Sequence, residues 1–343
     1  MSNDNTPLSG VQEVLTSLPD LASERIGGRA IAASDDFFAP RRNLVKASEP
    51  VFVPDRFTSR GKWMDGWESR RRRTPGHDWC VVKLGVRGRI RGVNVNTRFF
   101  TGNFPTSCSI DALHSPQVMT QQMAAHEGAP WTTILPQTDL RGDGDNFIAI
   151  DSAAPWTHVR LNIFPDGGVA RLRVFGEAVV DWKRVAAGGR GIDLARIEHG
   201  GVVLGASDMH YGARDNIIMP GRAANMGDGW ETKRRRGPGH DWLILRLGAP
   251  GRIQKLEIDT NHFKGNYPDA ASVDACHVPG AGLEELSGSA WTELLPRVKL
   301  QPHHRHFFLH ELRRVEVASH LRLNIFPDGG VSRFRVYGTL ASD

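Results

Sequence analysis

Cysteine is scarce in this chain, and long apolar runs are missing. Cys80, Cys108 and Cys276 are odd in number and show no CxxC spacing. Neither a disulfide framework nor a zinc ribbon is indicated, and a reducing compartment is expected. No run of about eighteen apolar residues occurs, so no membrane-spanning helix is read. The amino terminus, MSNDNTPLSGVQEVLTSLPDLA, lacks the cationic start and apolar stretch of a secretory signal. A cytoplasmic protein with no membrane partner is expected. There is no phosphate loop, no GxSxG elbow and no HExxH helix. A strong charge imbalance is also lacking: 43 Lys and Arg against 38 Asp and Glu leave +5 over 343 residues. That is far from the dense basic field of a nucleic-acid binder, so no nucleic-acid partner is expected.

What is present is a repeat. DGWESRRRRTPGHDW at residues 65–79 returns as DGWETKRRRGPGHDW at residues 228–242, with twelve of fifteen positions identical. DLA at Asp20 returns at Asp193, and GGRAIAASD at Gly27 returns as GGVVLGASD at Gly200, both at an offset of 173. The offset falls to 163 by the DGWE segment, because the first copy holds about ten more residues between Pro50 and Met64. Such an insertion reads as a surface loop of little energetic cost. RLNIFPDGGV at Arg160 recurs unchanged at Arg322. A period this long is a domain rather than a solenoid unit, and each copy should bury its own core. The boundaries read as an extension over 1–26, a first repeat over 27–185, a linker over 186–199 around AAGGRG, and a second repeat over 200–343.

Within each copy the apolar pattern has a period of two. Val93, Val95 and Thr97 alternate with Asn94 and Asn96, and Leu256 and Ile258 with Glu257 and Asp259. In HVRLNI and ARLRVFG the apolar positions point inward, with Arg160, Arg171 and Arg173 outward and FPDGG reading as a hairpin loop. Helical periodicity is confined to VQEVLTSL near the amino terminus. Short strands with many Gly and Pro predict an all-β protein of two tandem domains, each an antiparallel β-sandwich or jelly roll. Trp67, Trp79, Trp230 and Trp242 read as core residues.

The strand WCVVKLG, the turn VRGR and the strand IRGVNVNT read as a hairpin, which sets the basic run beside the loop FFTGNFP at one end of the sandwich. In the second copy the basic run lies beside HFKGNYP. Arginine forks hold a carboxylate, Asn offers donor and acceptor to a urea-like amide, and a histidine beside a carboxylate is oriented as acid or base. Alternate side chains of an extended run diverge, so about two of each four cations can face one ligand. The candidates are Arg71, Arg73, Asn103, Arg234, Arg236, His262, Lys264 and Asn266 for binding. His77 with Asp78, and His240 with Asp241, are the candidates for proton transfer. Asp78 and Asp241 equally suit a plainer role, neutralising an arginine or bonding a loop. The histidines of HHRHFFLH at residues 303–310 have no counterpart in the first copy's DGDNFIAI, which argues for structure over a metal site.

The order ASDDFF, RGKWMDGWESRRRR with GHDW, NTRFFTGNFP, and then MGDGWETKRRRGPGHDW, DTNHFKGNYPDAASVDAC and LNIFPDGG resembles the allantoicases, the allantoate amidinohydrolases of purine breakdown. The likeness runs from about Gly27 to the C-terminus in both copies. It implies a cytosolic, self-associating hydrolase that converts allantoate to ureidoglycolate and urea on two jelly rolls of galactose-binding-like topology. The site residues are assigned here from the chemistry of this chain. The arginines suit the substrate carboxylate and Asn103 or Asn266 a ureido group, while His77 or His240 acts as acid and base. Glu68 or Glu231, or Asp35 and Asp208, are the alternative acids. No cofactor is expected, and a divalent metal has no support in the residues. His262 and Lys264, replacing Phe99 and Thr101, tilt the choice of active copy toward the second. The rival reading is a non-catalytic module of the same fold that binds a small anion.

Overall fold

The computed structural model describes residues 10–117, 119–126, 128–188 and 191–341, and in it the segment VRGR is not a turn. One strand of 19 residues, Asp78–Asn96, runs through it. The first half of this strand pairs with Arg29–Ala33 and Pro155–Phe164, and the second half with Phe147–Ala149 and Arg171–Ala178. The register with Pro155–Phe164 breaks between Lys83 and Gly88, where the chain passes from one layer of the sandwich to the other. Glycine is required there: a Cβ on Gly85 would lie 2.4 Å from the Ile26 carbonyl oxygen. FPDGG is not a hairpin either. Pro155–Phe164 and Arg171–Ala178 pair with different halves of the long strand, and residues 165–170 cross between the layers. Within the crossing, Gly168–Val169 pairs with Trp67–Glu68. Ser107–Leu113 and Thr132–Asp139 complete the first sheet.

All pairings are antiparallel and the layers make the expected jelly-roll sandwich. The second unit repeats it around Asp241–Asp259, with Val202–Ala206, Ala318–Phe326, Arg305–Phe308 and Arg333–Leu340 as partners. Ala270–Cys276 and Thr292–Lys299 extend its sheet. The chain divides into units at Val179 and Val180. Asp20 bridges Phe175, and Leu15, Leu21 and Ala22 are buried, so part of the segment read as an extension belongs to the first unit. Ile192–Asp193, read as linker, pairs with the strand Arg333–Leu340.

The core follows the period-two pattern, with Val82, Val93, Val95, Leu161, Ile163, Leu172, Val174 and Trp67 all fully buried. Each such side chain contributes roughly 1.5–3 kcal/mol. Two expectations fail. Arg171, read as outward, is 1% exposed. Its Nη2 reaches Asp65 Oδ2 at 2.6 Å and its Nη1 the Asp65 carbonyl at 2.7 Å, because residues 48–65 fold over that strand. Trp79, read as core, packs instead on the outer face of the sheet with Val81 and Trp131, and Trp242 does the same in the second unit.

Candidate active site

The basic run and the Gly-Asn loop do share one end of each sandwich, by a different route from the expected hairpin. The crossing at residues 165–170 ties both ends of the long strand together: Asp78 N–H donates to the Pro165 carbonyl (3.1 Å) and Ala170 N–H to that of Asn96 (2.7 Å). Gly168 N–H then holds the Asn103 carbonyl at 2.8 Å. In the second unit Pro327, Ser332 and Gly330 make the same three bonds with Asp241, Asp259 and Asn266.

Asp78 does not orient His77. Neighbours on a strand point to opposite faces, and Asp78 is buried, accepting from Arg72 Nη1 and Ser34 Oγ, both at 2.9 Å. His77 lies against Phe164, ring centroids 4.7 Å apart. His240 repeats this on Phe326 and approaches Asn324 Oδ1 at 3.3 Å, while Asp241 takes Arg235 and Ser207. The plainer reading of the two aspartates is the one observed.

The arginines that turn inward are not the ones selected. Arg72 and Arg235 lock to Asp78 and Asp241, and their backbone N–H groups bond Asp166 and Asp328, each at 2.8 Å. Arg71, Arg73, Arg234 and Arg236 are exposed. The alternation was anticipated but its phase was not, since it depends on which residue meets the crossing. Asp35 and Asp208 are structural: Asp35 binds Arg70 Nε at 2.6 Å and the Phe37 N–H at 2.8 Å, and Asp208 binds the Lys233 N–H at 2.6 Å.

The residues that meet are a glutamate and an asparagine. Asn103 Nδ2 donates to Glu68 Oε1 at 2.6 Å, and Asn266 donates to Glu231 in the same way. Burial pushes the Glu68 carboxyl above the ordinary glutamate value, and the Asn103 hydrogen bond only partly offsets that. In the first unit this pair borders a cavity of about 390 Å³, whose wall includes Phe52, Lys62, Phe99 and Asp143. Phe52 and Lys62 come from the insertion, where Phe57–Thr58 and Gly61–Lys62 form a small hairpin, Phe52 stacks on Phe99 and Lys62 sits 4.5 Å from the Phe52 ring centroid. The segment read as a low-cost loop therefore builds the pocket. Lys62 was missed, and the insertion itself was the available signal.

In the second unit His262 Nε2 lies 2.9 Å from the Ala223 carbonyl, and its N–H donates to His303 Nδ1 at 2.8 Å. Asp143 accepts the corresponding N–H of Phe99 at 2.7 Å, which explains the histidine at position 303 as a loop partner. His306 accepts the Gln301 N–H at 2.9 Å, another backbone contact. Lys264 is exposed.

The allantoicase repeat model matches residues 19–179 and again 192–341. A probable allantoicase 1 of Burkholderia mallei is 47% identical over 99% of this chain and 98% of its own length. A probable allantoicase of Pseudomonas paraeruginosa is 49% identical over 93% and 95%. The crystal structure of allantoicase from Saccharomyces cerevisiae superposes with a TM-score of 0.81 at 33% identity, covering 96% of this chain and 98% of that one. With two matched repeats, near-complete coverage by relatives and the same fold, this chain belongs to the allantoicase repeat family.

Proposed function

We propose that this chain hydrolyses allantoate to ureidoglycolate and urea, and that the Glu68–Asn103 corner of the first repeat performs the reaction. The observation that carries the site is the half-buried carboxyl of Glu68. It faces the cavity with Oε1 held by Asn103, and Oε2 makes no hydrogen bond to the described residues. Raised above its ordinary value, it keeps a proton to higher pH.

Allantoate carries a carboxylate and two ureido groups on one carbon. Lys62 supplies a cation for the carboxylate, and Asn103 and Asp143 offer hydrogen-bonding groups to a ureido arm. As the carbon–nitrogen bond breaks, Glu68 gives its proton to the departing urea nitrogen, and the remaining ureido nitrogen, keeping its hydrogen, donates its lone pair to the central carbon to form an iminium ion. The glutamate then accepts a proton from the water that adds to that carbon, giving ureidoglycolate and restoring the acid. His77 and His240 take no part in this scheme.

Turnover without added metal is part of the proposal. So are a cytoplasmic location, a homo-oligomer, and the lack of nucleic-acid or membrane partners. No helix among the described residues is long and apolar enough to cross a membrane. The test is urea release from allantoate by the purified chain, before and after exhaustive chelation, with Glu68→Gln beside it. Release that survives chelation and falls about a hundredfold in E68Q supports the scheme. Release by E68Q at the parent rate removes Glu68 from it, and no release from the parent chain removes the activity.

A further inference from the structure

The outer face of the main sheet carries a second constellation that the scheme above leaves unused. Arg160, Asn162 and Phe164 alternate along one strand with the core residues Leu161 and Ile163, and Asp111 lies beside Arg160 on the next strand. His77, Trp79 and Trp131 border the same face. The second copy places Arg322, Asn324, Phe326, Asp274, His240, Trp242 and Trp291 at the equivalent positions, all seven identical in type. Some core positions differ between the copies, Cys80 corresponding to Leu243, Val93 to Leu256 and Cys108 to Ala271, while others such as Leu161 and Leu323 are identical.

In the second unit this face opens into a cavity of about 690 Å³, lined also by the buried Leu286 and the exposed Leu283. Asp274 Oδ2 accepts Arg322 Nη2 at 2.8 Å and Asn324 Nδ2 at 2.9 Å, so the two charges cancel and the amide nitrogen is committed. Asn324 Oδ1 pairs with His240 Nε2 at 3.3 Å, which leaves it one further lone pair for a ligand. The first unit shows the same acceptor more starkly. Asn162 is 4% exposed, its Nδ2 is tied to Ser109 and Asp111, and its Oδ1 has no partner among the described residues. Trp131 Nε1 is buried without a partner as well. An unmet buried acceptor costs roughly 1–3 kcal/mol in the first unit, and in the second unit a single His240 contact meets it.

We propose that this pocket of the second unit is a binding site, separate from the Glu68 corner, for a neutral planar heterocycle with adjacent N–H and C=O groups, a nucleobase-like ring. The Arg322–Asp274 pair cancels its own charge, so neither of these two side chains offers a net charge to a ligand. Trp242, Trp291 and Phe326 supply flat apolar walls. Asn324 Oδ1 accepts the ring N–H, and His240 donates to the neighbouring carbonyl.

The experiment is a calorimetric titration of the full chain with uracil, with benzoate as the planar anionic control. Leu283→Trp fills the cavity from its rim, where Leu283 is 39% exposed, without touching the hydrogen bonds. His240→Gln alters the donor. Saturable uracil binding is expected, with benzoate about tenfold weaker. L283W and H240Q should each weaken uracil about tenfold, while E68Q and E231Q leave it unchanged and L283W leaves urea release unchanged. Three results overturn the proposal: no saturable heat at millimolar uracil, binding undiminished in L283W, or loss of urea release in H240Q while the glutamate variants stay active. The last would make this face the catalytic site and remove Glu68 from the reaction.

Discussion

A glutamate that acts as an acid leaves a signature in the pH profile. Burial raises the Glu68 carboxyl, so the protonated form persists to higher pH, and turnover should fall as pH rises through the raised value. A kcat profile of the parent chain should show this limb, and the residual activity of E68Q should lack it; a limb retained in E68Q assigns it elsewhere. Asp65 shows the opposite sign. Burial alone would raise it, but hydrogen bonds from Lys46 and Arg171 prevail and hold it below the ordinary carboxylate value. Its contribution to stability is complete above the ordinary value and is lost as pH falls through the lowered one. Asp65→Asn leaves Arg171 buried beside a neutral amide, and denaturant unfolding should show a loss of about 3–5 kcal/mol. Of these residues, Glu68 and Asn103 were visible as repeated polar positions. Arg171 and Asp65 were not, because nothing in ARLRVFG says that residues 48–65 will cover its polar face.

At the scale of the element, the insertion between Pro50 and Met64 separates two accounts of the pocket. Val51 N–H and Lys46 already anchor the neighbouring chain to Asp65, at 3.2 and 2.8 Å, so residues 52–62 can be removed without opening the core. Their deletion should change the unfolding midpoint little. Urea release should fall at least about tenfold as Lys62 and Phe52 leave the cavity wall. Full activity in the deletion would show that the insertion is the plain loop its composition suggests. The strand errors belong to this scale too. VRGR and FPDGG have the composition of turns, yet both carry the chain between layers. A glycine that permits a tight turn equally permits the close approach seen at Gly85, and composition does not distinguish the two.

For the molecule as a whole, the question is whether two near-copies contribute equally. The same Glu–Asn pair stands in both, but only the first copy carries the ten-residue insertion that supplies Phe52 and Lys62, and in the second His262 is engaged with a backbone carbonyl. Under the proposed scheme this favours the first copy, where the sequence-based preference was for the second. Urea release should be nearly abolished in Glu68→Gln and should retain more than half of the parent rate in Glu231→Gln. The reverse ranking would restore the second copy, and equal losses would indicate that both act.

The duplication, the all-β sandwich, the inward set of apolar residues and the family were fixed by the order of residues alone, because period-two patterning and long repeated motifs are local properties of the chain. The tertiary structure decided which arginines face inward and which histidines lose their aspartate partners. It also decided that an inserted loop becomes a wall. Those outcomes depend on where the 165–170 crossing ties both ends of one bent strand together, a contact between residues far apart in sequence that no local pattern encodes.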